Sequence, residues 1–317
     1  MPKERFHIYL AKRLAGECET GPPIWFDRAA FLLGAVSPDI FYYDLPFFSL
    51  TPLGDRIHGI IERDGISIIS EWISSGPISN EPNSKGPNSK EPNSKEPNKG
   101  ANGAAISWGL GVASHFMADA LWHPLIEDLS SGGLSKIYGG ARRLSPLERH
   151  RLIESEIEAF WLARNPEANK SDYLALDFGG KRGRILAAAS HYLSFLEFAG
   201  LGGQDLFFSP RARGAVVSKE RISWCFSCQN FLLKLFSNRT LGGQRDLLLS
   251  IRATRFLGAL VAPVHPVLPA LFALETPEHL NPFSDFFMDR AVRALQTDWR
   301  ALIEKIEEGE KKKRRKL

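Results

Sequence analysis

The stretch from Ile106 to Trp122 constrains this chain most. It is apolar nearly throughout, with Ile106, Trp108, Leu110, Val112, Phe116, Met117 and Leu121, and it is dotted with Gly109, Gly111, Ala113 and Ala118. Small residues lower intrinsic helicity but permit close helix approach, which suits a buried helix. This helix, expected over about Ala104 to Trp122, also carries His115 and Asp119. A carboxylate in that setting is costly to bury unless it is paired or coordinated. The i, i+4 spacing sets the two on one face. At about 100° per residue, His115, Asp119 and His123 fan across roughly 80° of the helix.

A second pair repeats the pattern: His150 and Glu154. A lone His/Asp pair on a helix is more often a hydrogen-bonded polar pair or a solvated face. Two matched pairs, one of them in apolar surroundings, shift the balance towards metal. Helices meeting along those faces would gather imidazoles and carboxylates in one pocket. Such N/O donors suit Zn²⁺, with Fe or Mn as alternatives. Three protein ligands plus water is the usual catalytic arrangement. Two metals about 3.5–4 Å apart would stabilise the attacking and leaving oxygens of a phosphoester displacement. A water whose pKa zinc lowers to about 7 is the expected nucleophile.

The rest of the chain reads as all-α, a multi-helix bundle around a buried metal cluster. No sustained period-2 alternation argues for strands. Helices are expected over Phe6 to Ala15, closed by Gly16; over Pro23 to about Leu33; and over about Arg56 to Ser74. A turn at Ser37-Pro38-Asp39 separates the last two, because a residue before proline is pushed out of the helical region. Ser145-Pro146-Leu147-Glu148 is a capping box that starts a helix over 146–164. Further helices are expected near 182–199, 218–237, 244–261 and 285–308, the last with Phe287, Val292, Leu295, Trp299, Leu302 and Ile306 as its apolar stripe.

Residues 81–99 are a tandem Glu/Gly-Pro-Asn-Ser-Lys repeat. Its composition can neither bury a core nor continue a helix, so 76–103 is expected to be a disordered insertion without a catalytic role. The organisation that follows is a metal-binding part over 1–210 interrupted by that insertion, a helical part over 211–308 packed on the same core, and a basic tail over 309–317. Phe256–Leu274 has 19 residues without Asp, Glu, Lys or Arg. Its length nearly spans a bilayer, but Pro263, Pro266 and Pro269 favour a buried core segment.

Net charge is +4, and removing the six positive charges of Lys311–Lys316 leaves the rest at −2. The body therefore gives no reason to expect nucleic-acid binding. The tail reads as a solvated, disordered end, with peripheral contact to anionic lipid as the alternative, worth about 1 kcal/mol per basic residue near the surface. Cys18, Cys225 and Cys228 are too few for a disulfide framework. Cys225-Phe226-Ser227-Cys228 reads as two small buried residues on a helix. The N-terminus shows no signal-peptide pattern, and the expected location is the cytoplasm.

The ordered set Gly34-Ala35-Val36-Ser37-Pro38-Asp39, His58, Gly111-Val112-Ala113-Ser114-His115-Phe116-Met117-Ala118-Asp119, and His150 with Glu154 resembles the zinc-dependent phospholipase C family, which is related to the S1/P1 nuclease superfamily scaffold. The resemblance covers roughly residues 1–160. It implies an all-helical fold and zinc ligands taken in order from His7, Asp39, His58, His115, Asp119, His123, His150 and Glu154. One site would use Asp39, His58, His115 and Asp119. A second would use His123, His150 and Glu154, and Asp119 would bridge towards a third with His7. Secreted members complete the third site with a free N-terminal Trp. This chain begins Met1-Pro2-Lys3, so two Zn²⁺ ions are expected.

The implied activity is hydrolysis of a phosphodiester, a phospholipid head group included, with metal-bound water attacking phosphorus and with Asp39, His115 and Asp119 as the catalytic set. Asp44 and Asp55 compete with Asp39 for its place. His191, His265 and His279 read as surface or satisfied core residues. The alternatives are a nuclease or nucleotide phosphoesterase on the same scaffold, and a non-catalytic module whose helices the ions merely stabilise.

Overall fold

A computed structural model describes residues 4–16, 26–44, 49–75, 99–133, 144–165, 182–201, 217–236, 269 and 281–316. Among these the chain is all-helical, with no strand. The helices are α1 (Glu4–Gly16), α2 (Arg28–Val36), a 3-10 segment (Ser37–Tyr43), α3 (Thr51–Ser75), α4 (Lys99–Asp128) followed by a π-helical turn (Leu129–Gly133), α5 (Pro146–Arg164), α6 (Arg182–Phe198), α7 (Lys219–Phe236) and α8 (Asp285–Lys316). Much of the 76–103 interval, the helix expected near 244–261, most of Phe256–Leu274, His265, His279 and Cys18 lie outside the described residues.

α4 is the spine. At 30 residues it is about 45 Å long, and its Trp108, Leu110, Val112, Phe116 and Trp122 are buried. It begins at Lys99, inside the interval expected to be unstructured, and it continues past Trp122 through Pro124 to Asp128. Proline deprives the carbonyl four residues earlier of its donor. Here that residue is Ala120, which is exposed, so water can take the missing partner's place.

α2 lies directly against α4. A Cβ on Gly34 would stand 2.0 Å from the Trp108 carbonyl oxygen, and one on Gly111 would stand 2.0 Å from that of Phe31. No side chain fits between the two backbones. Gly111 of α4 serves this crossing, whereas Gly109 makes room for Trp72 and Ile73 of α3.

Local signals set the ends of the elements. The Asp27 carboxylate accepts from Ala29 and Ala30 N–H at 2.8 and 3.0 Å, and Phe26 and Asp27 are not helical. α2 therefore starts at Arg28 and not near Pro23. The expected break at Ser37 is also corrected, since Ser37 keeps helical dihedrals (φ −61°, ψ −40°). Its hydroxyl donates to the Leu33 carbonyl at 2.7 Å and accepts from Trp108 Nε1 at 3.0 Å, which holds the chain into the 3-10 turn despite Pro38. α5 opens on the capping box, Ser145 Oγ accepting from Glu148 N and Glu148 accepting from Ser145 N.

The later helices share the hydrophobic core with the earlier ones. Val292, Leu295, Trp299, Leu302 and Ile306 of α8 are buried. The Trp299 ring meets Phe31 with centroids 5.3 Å apart, and Phe287 meets Trp122 at 4.9 Å. Arg221 of α7 donates to Asp44, just past the 3-10 segment, through Nε at 2.7 Å. Cys225 is buried on α7 and Cys228 half-buried, with no disulfide at either. α8 also runs on to Lys316, through the basic run expected to be disordered. Glu307 and Glu308 precede Lys311 and Lys312 by four, a spacing that favours helix, and basic residues suit a helix C-terminus. No helix among the described residues is long and apolar enough to cross a membrane.

Candidate metal centre

The α2–α4 crossing positions the first ligand. Because the backbones touch, the Ala35 carbonyl reaches His115 Nδ1 at 2.8 Å. A carbonyl only accepts, so Nδ1 carries the proton and Nε2 is turned inward as the potential donor atom. His58 on α3 is set the same way, with Nδ1 donating to the Gly54 carbonyl one turn back at 2.7 Å. Both rings thus present Nε2 to one place.

Asp119 occupies that place. Its Oδ2 lies 3.1 Å from His115 Nε2 and 3.7 Å from His58 Nε2. Its Oδ1 lies 3.4 Å from His7 Nε2 on α1 and 3.9 Å from His123 Nε2. Asp39, on the 3-10 segment, adds Oδ1 at 3.3 Å from His58 Nε2 and Oδ2 at 3.9 Å from His115 Nε2. Two triads close to within 4.8 Å of mutual ligand-atom distance: His7, Asp39 and His115, and His58, His115 and Asp119. His7, expected at a third site with Asp119, therefore also joins Asp39 and His115.

His123, His150 and Glu154 lie alongside. The His123 and His150 rings meet edge-on, centroids 5.8 Å apart, and His150 Nε2 is 2.9 Å from Glu154 Oε1. They adjoin the first group through Asp119 but, among the described residues, do not close into a triad of the same tightness. The competitors of Asp39 are engaged elsewhere. Asp44 is held by Arg221, and Asp55 accepts from Tyr42 Oη at 3.0 Å. His191 is half-buried near Trp108.

The centre is buried and underbonded. His7, Asp39, His58, His115 and Asp119 are all less than a tenth exposed. Yet His58 Nε2, His115 Nε2, His123 Nε2, both ring nitrogens of His7, Asp39 Oδ1 and both oxygens of Asp119 are buried without a hydrogen bond. Leaving one such group unmade typically costs about 1–3 kcal/mol. So many on facing atoms mark a place for a cation. Imidazole nitrogens and carboxylate oxygens are the donors zinc accepts, so the residues present fit that ion.

The electrostatics agree. Burial alone would raise the Asp39 and Asp119 carboxyls, but the His115 imidazole and its neighbours hold both below the usual range, Asp119 far below. Burial opposes a charge on His115 as well, but Asp119 and Asp39 outweigh it and push the ring up to about 9. Burial, with His115 adding to it, lowers His7. Burial brings His123 down to about 4 and His150 far below its ordinary value. These last three rings are neutral near pH 7, with lone pairs available.

Sequence reading passed over Glu4 and Tyr43. The Tyr43 hydroxyl donates to Glu4 Oε1, and burial, with Asp39 adding to it, raises the Glu4 carboxyl. Glu4 stands three residues before His7, on the same face of α1, and that spacing was the available signal. It also passed over Tyr42, packed against His58 with centroids 5.6 Å apart, and Arg151, whose guanidinium carbon lies 5.5 Å from the Tyr42 ring centroid.

No curated protein and no solved structure matches the chain. A family model does, that of zinc dependent phospholipase C, over residues 6–193. The match covers more than half of the chain, runs past residue 160 into α6, and takes in all eight candidate ligands. With the all-helical fold and the buried His/Asp cluster beside it, the match places the chain in the zinc-dependent phospholipase C family, whose members are metal-dependent hydrolases.

Proposed function

We propose that the protein is a zinc-dependent phosphodiesterase acting on phosphodiesters of the phospholipid type, with two ions held between α1, α3, α4, α5 and the 3-10 segment. The observation that carries this reading is Asp119. One carboxylate at the centre of a buried core faces four imidazoles, with both oxygens free of hydrogen bonds among the described residues. Asp39, His58, His115 and Asp119 would hold one ion. His123, His150 and Glu154 would hold the other, with Asp119 within reach of both and His7 packed against the first.

Bound zinc supplies a Lewis acid that draws charge from a phosphoryl oxygen and makes water nucleophilic near neutral pH. The remaining work belongs to the chain. Ala35 and Gly54 fix the tautomers of His115 and His58 through their carbonyls, and such partners orient and tune the ligand. Asp39 and Asp119 stay ionised across the physiological range and supply the negative charge that balances the cations. We assign Asp39, His115 and Asp119 to the reacting face. The −2 charge of the body without its basic run argues against a long polyanion as substrate.

The test is metal analysis of the untagged protein, followed by hydrolysis of a chromogenic phosphodiester and of phosphatidylcholine, with and without chelator. Turnover that chelation abolishes and zinc restores is the expected result. Stoichiometric zinc without turnover on either substrate would replace the enzyme with a metal-stabilised binding module.

A further inference from the structure

Arg151 is built into the rim of the centre in a way that ligand geometry alone does not require. It follows His150 on α5 and projects between Glu154 and the 3-10 segment. Its Nη1 donates to Glu154 Oε2 at 3.4 Å, while the other oxygen of that carboxylate, Oε1, faces His150 Nε2 at 2.9 Å. Its guanidinium rests over the Tyr42 ring. That ring is pinned in turn by its hydroxyl bond to Asp55 and by its approach to α3, where a Cβ on Gly54 would stand 3.2 Å from it. The Tyr42 ring also meets His58, with centroids 5.6 Å apart. Arg151 is thus braced by groups that themselves touch a candidate ligand on each flank.

A simpler account makes Arg151 the counter-charge of the buried Glu154. The geometry does not suit it. A guanidinium that serves a carboxylate normally does so through two short parallel bonds. Here, among the described residues, one long bond runs from Arg151 to Glu154, and Nε is buried without a hydrogen bond. A metal ion on Glu154 would also compensate that carboxylate from its other side and leave the arginine charge in surplus. Solvent reaches this edge. The side chains of His123, His150 and Arg151 are 16, 20 and 21% exposed, against 9% or less for His7, Asp39, His58, His115 and Asp119. Among the described residues, the guanidinium stands on this more exposed side of the centre.

We infer that Arg151 is a substrate-binding residue, its guanidinium taking a non-bridging oxygen of an anionic phosphate group and so selecting phosphodiesters that carry a negative charge. This rests on the hydrolase reading above. Arginine fits the role because its planar fork matches phosphate and its charge is permanent. The residue would set affinity and orientation at the open edge while the ligands hold the metal beneath.

The test uses the full-length, zinc-loaded protein with Arg151→Gln and Arg151→Lys. Zinc content, binding of inorganic phosphate by calorimetry, and kcat/KM on a phosphodiester and on a matched neutral phosphotriester are measured together. Arg151→Gln should keep wild-type zinc and weaken phosphate by about tenfold or more. It should lower kcat/KM on the diester by about a hundredfold, and on the triester by no more than about twofold. Arg151→Lys, which keeps charge and stem but loses the fork, should fall between. Unchanged phosphate binding and diester turnover in Arg151→Gln would overturn the inference. So would loss of zinc in both variants, which would make Arg151 a support for Glu154. If the wild-type protein turns over neither substrate but its phosphate binding still depends on Arg151, the hydrolase reading fails and the anion site stands.

Discussion

The imidazole of His7 lies flat on that of His115, with ring centroids 3.7 Å apart and planes 14° from parallel, although 108 positions separate them in the chain. Two cations do not share such a contact, and the two rings divide the work. His115, faced by Asp119 and Asp39, holds a proton up to about pH 9, whereas His7 stays neutral. A metal ion must therefore displace the His115 proton. Zinc titrated into metal-free protein near pH 7.5 should release about one proton from this ring, on top of any from bound water. Calorimetry in buffers of different ionisation enthalpy reads that number. Zinc uptake with no proton release would remove His115 from the ligand set.

Stability of the metal-free protein should peak near neutrality. His115 titrates higher in the folded chain, near 9 against an ordinary 6.5. It stabilises fully below pH 6.5 and loses that contribution as pH rises through about 9. His123 titrates lower, about 4 against 6.5, so its contribution is present above pH 6.5 and drains away as pH falls towards 4. The two slopes meet at about pH 6.5 to 7. Melting temperatures measured from pH 4 to 10 in chelator should trace this dome. A monotonic rise up to pH 10 would contradict the His115 assignment.

Zinc should raise stability markedly, because it satisfies buried atoms that otherwise go unbonded. Free zinc at a hundred times its dissociation constant adds about 2.7 kcal/mol. The shift should nearly vanish in Asp119→Asn. That variant should also lose about a hundredfold or more in kcat/KM on a phosphodiester, equivalent to about 2.7 kcal/mol of transition-state stabilisation. His115→Ala and Glu154→Ala should likewise abolish turnover. An active double variant would exclude this site altogether.

Gly111→Ala should damage the metal centre from a distance. The added methyl group would meet the Phe31 carbonyl at 2.0 Å, so α2 must move away from α4, at a cost of about 1–3 kcal/mol. The Ala35 carbonyl moves with it and loosens its hold on His115. Weaker zinc binding alongside a lower melting temperature is the expected pair of results. Destabilisation with wild-type zinc affinity would show that the crossing does not set the ligand.

Arg221→Ala should cost about 1.5–3 kcal/mol, because the Asp44 carboxylate loses its ion pair while keeping its bonds from Ser49 N, Ser49 Oγ and Leu50 N. Asp44 closes the 3-10 segment that carries Asp39, so a urea midpoint and a zinc titration together measure how rigidly Asp39 must be held.

The sequence by itself determined the class of elements and much of their placement. Spacing of 3.6 residues, the Ser145/Glu148 capping box and the apolar stripe of α8 are local properties, and a local pattern needs no partner to be read. The same holds for His115 with Asp119 and His150 with Glu154, where the i, i+4 spacing alone puts each pair on one face. Local signals failed where a distant group overrode them. Trp108 and the Ser37 hydroxyl carry the chain through Pro38, and an exposed Ala120 lets α4 pass Pro124. Only the tertiary structure decided which acid faces the imidazoles. Asp39, Asp44 and Asp55 look alike in the chain, and packing sends one to the centre, one to Arg221 and one to Tyr42. It also decided that His7 meets His115 and that Arg151 stands at the open edge. The physical reason is that these relations join elements far apart in the chain; the Ala35–His115 bond, for one, depends on how closely α2 and α4 approach, and that distance is set by Gly34 and Gly111, whose carbonyl partners Trp108 and Phe31 lie 74 and 80 positions away.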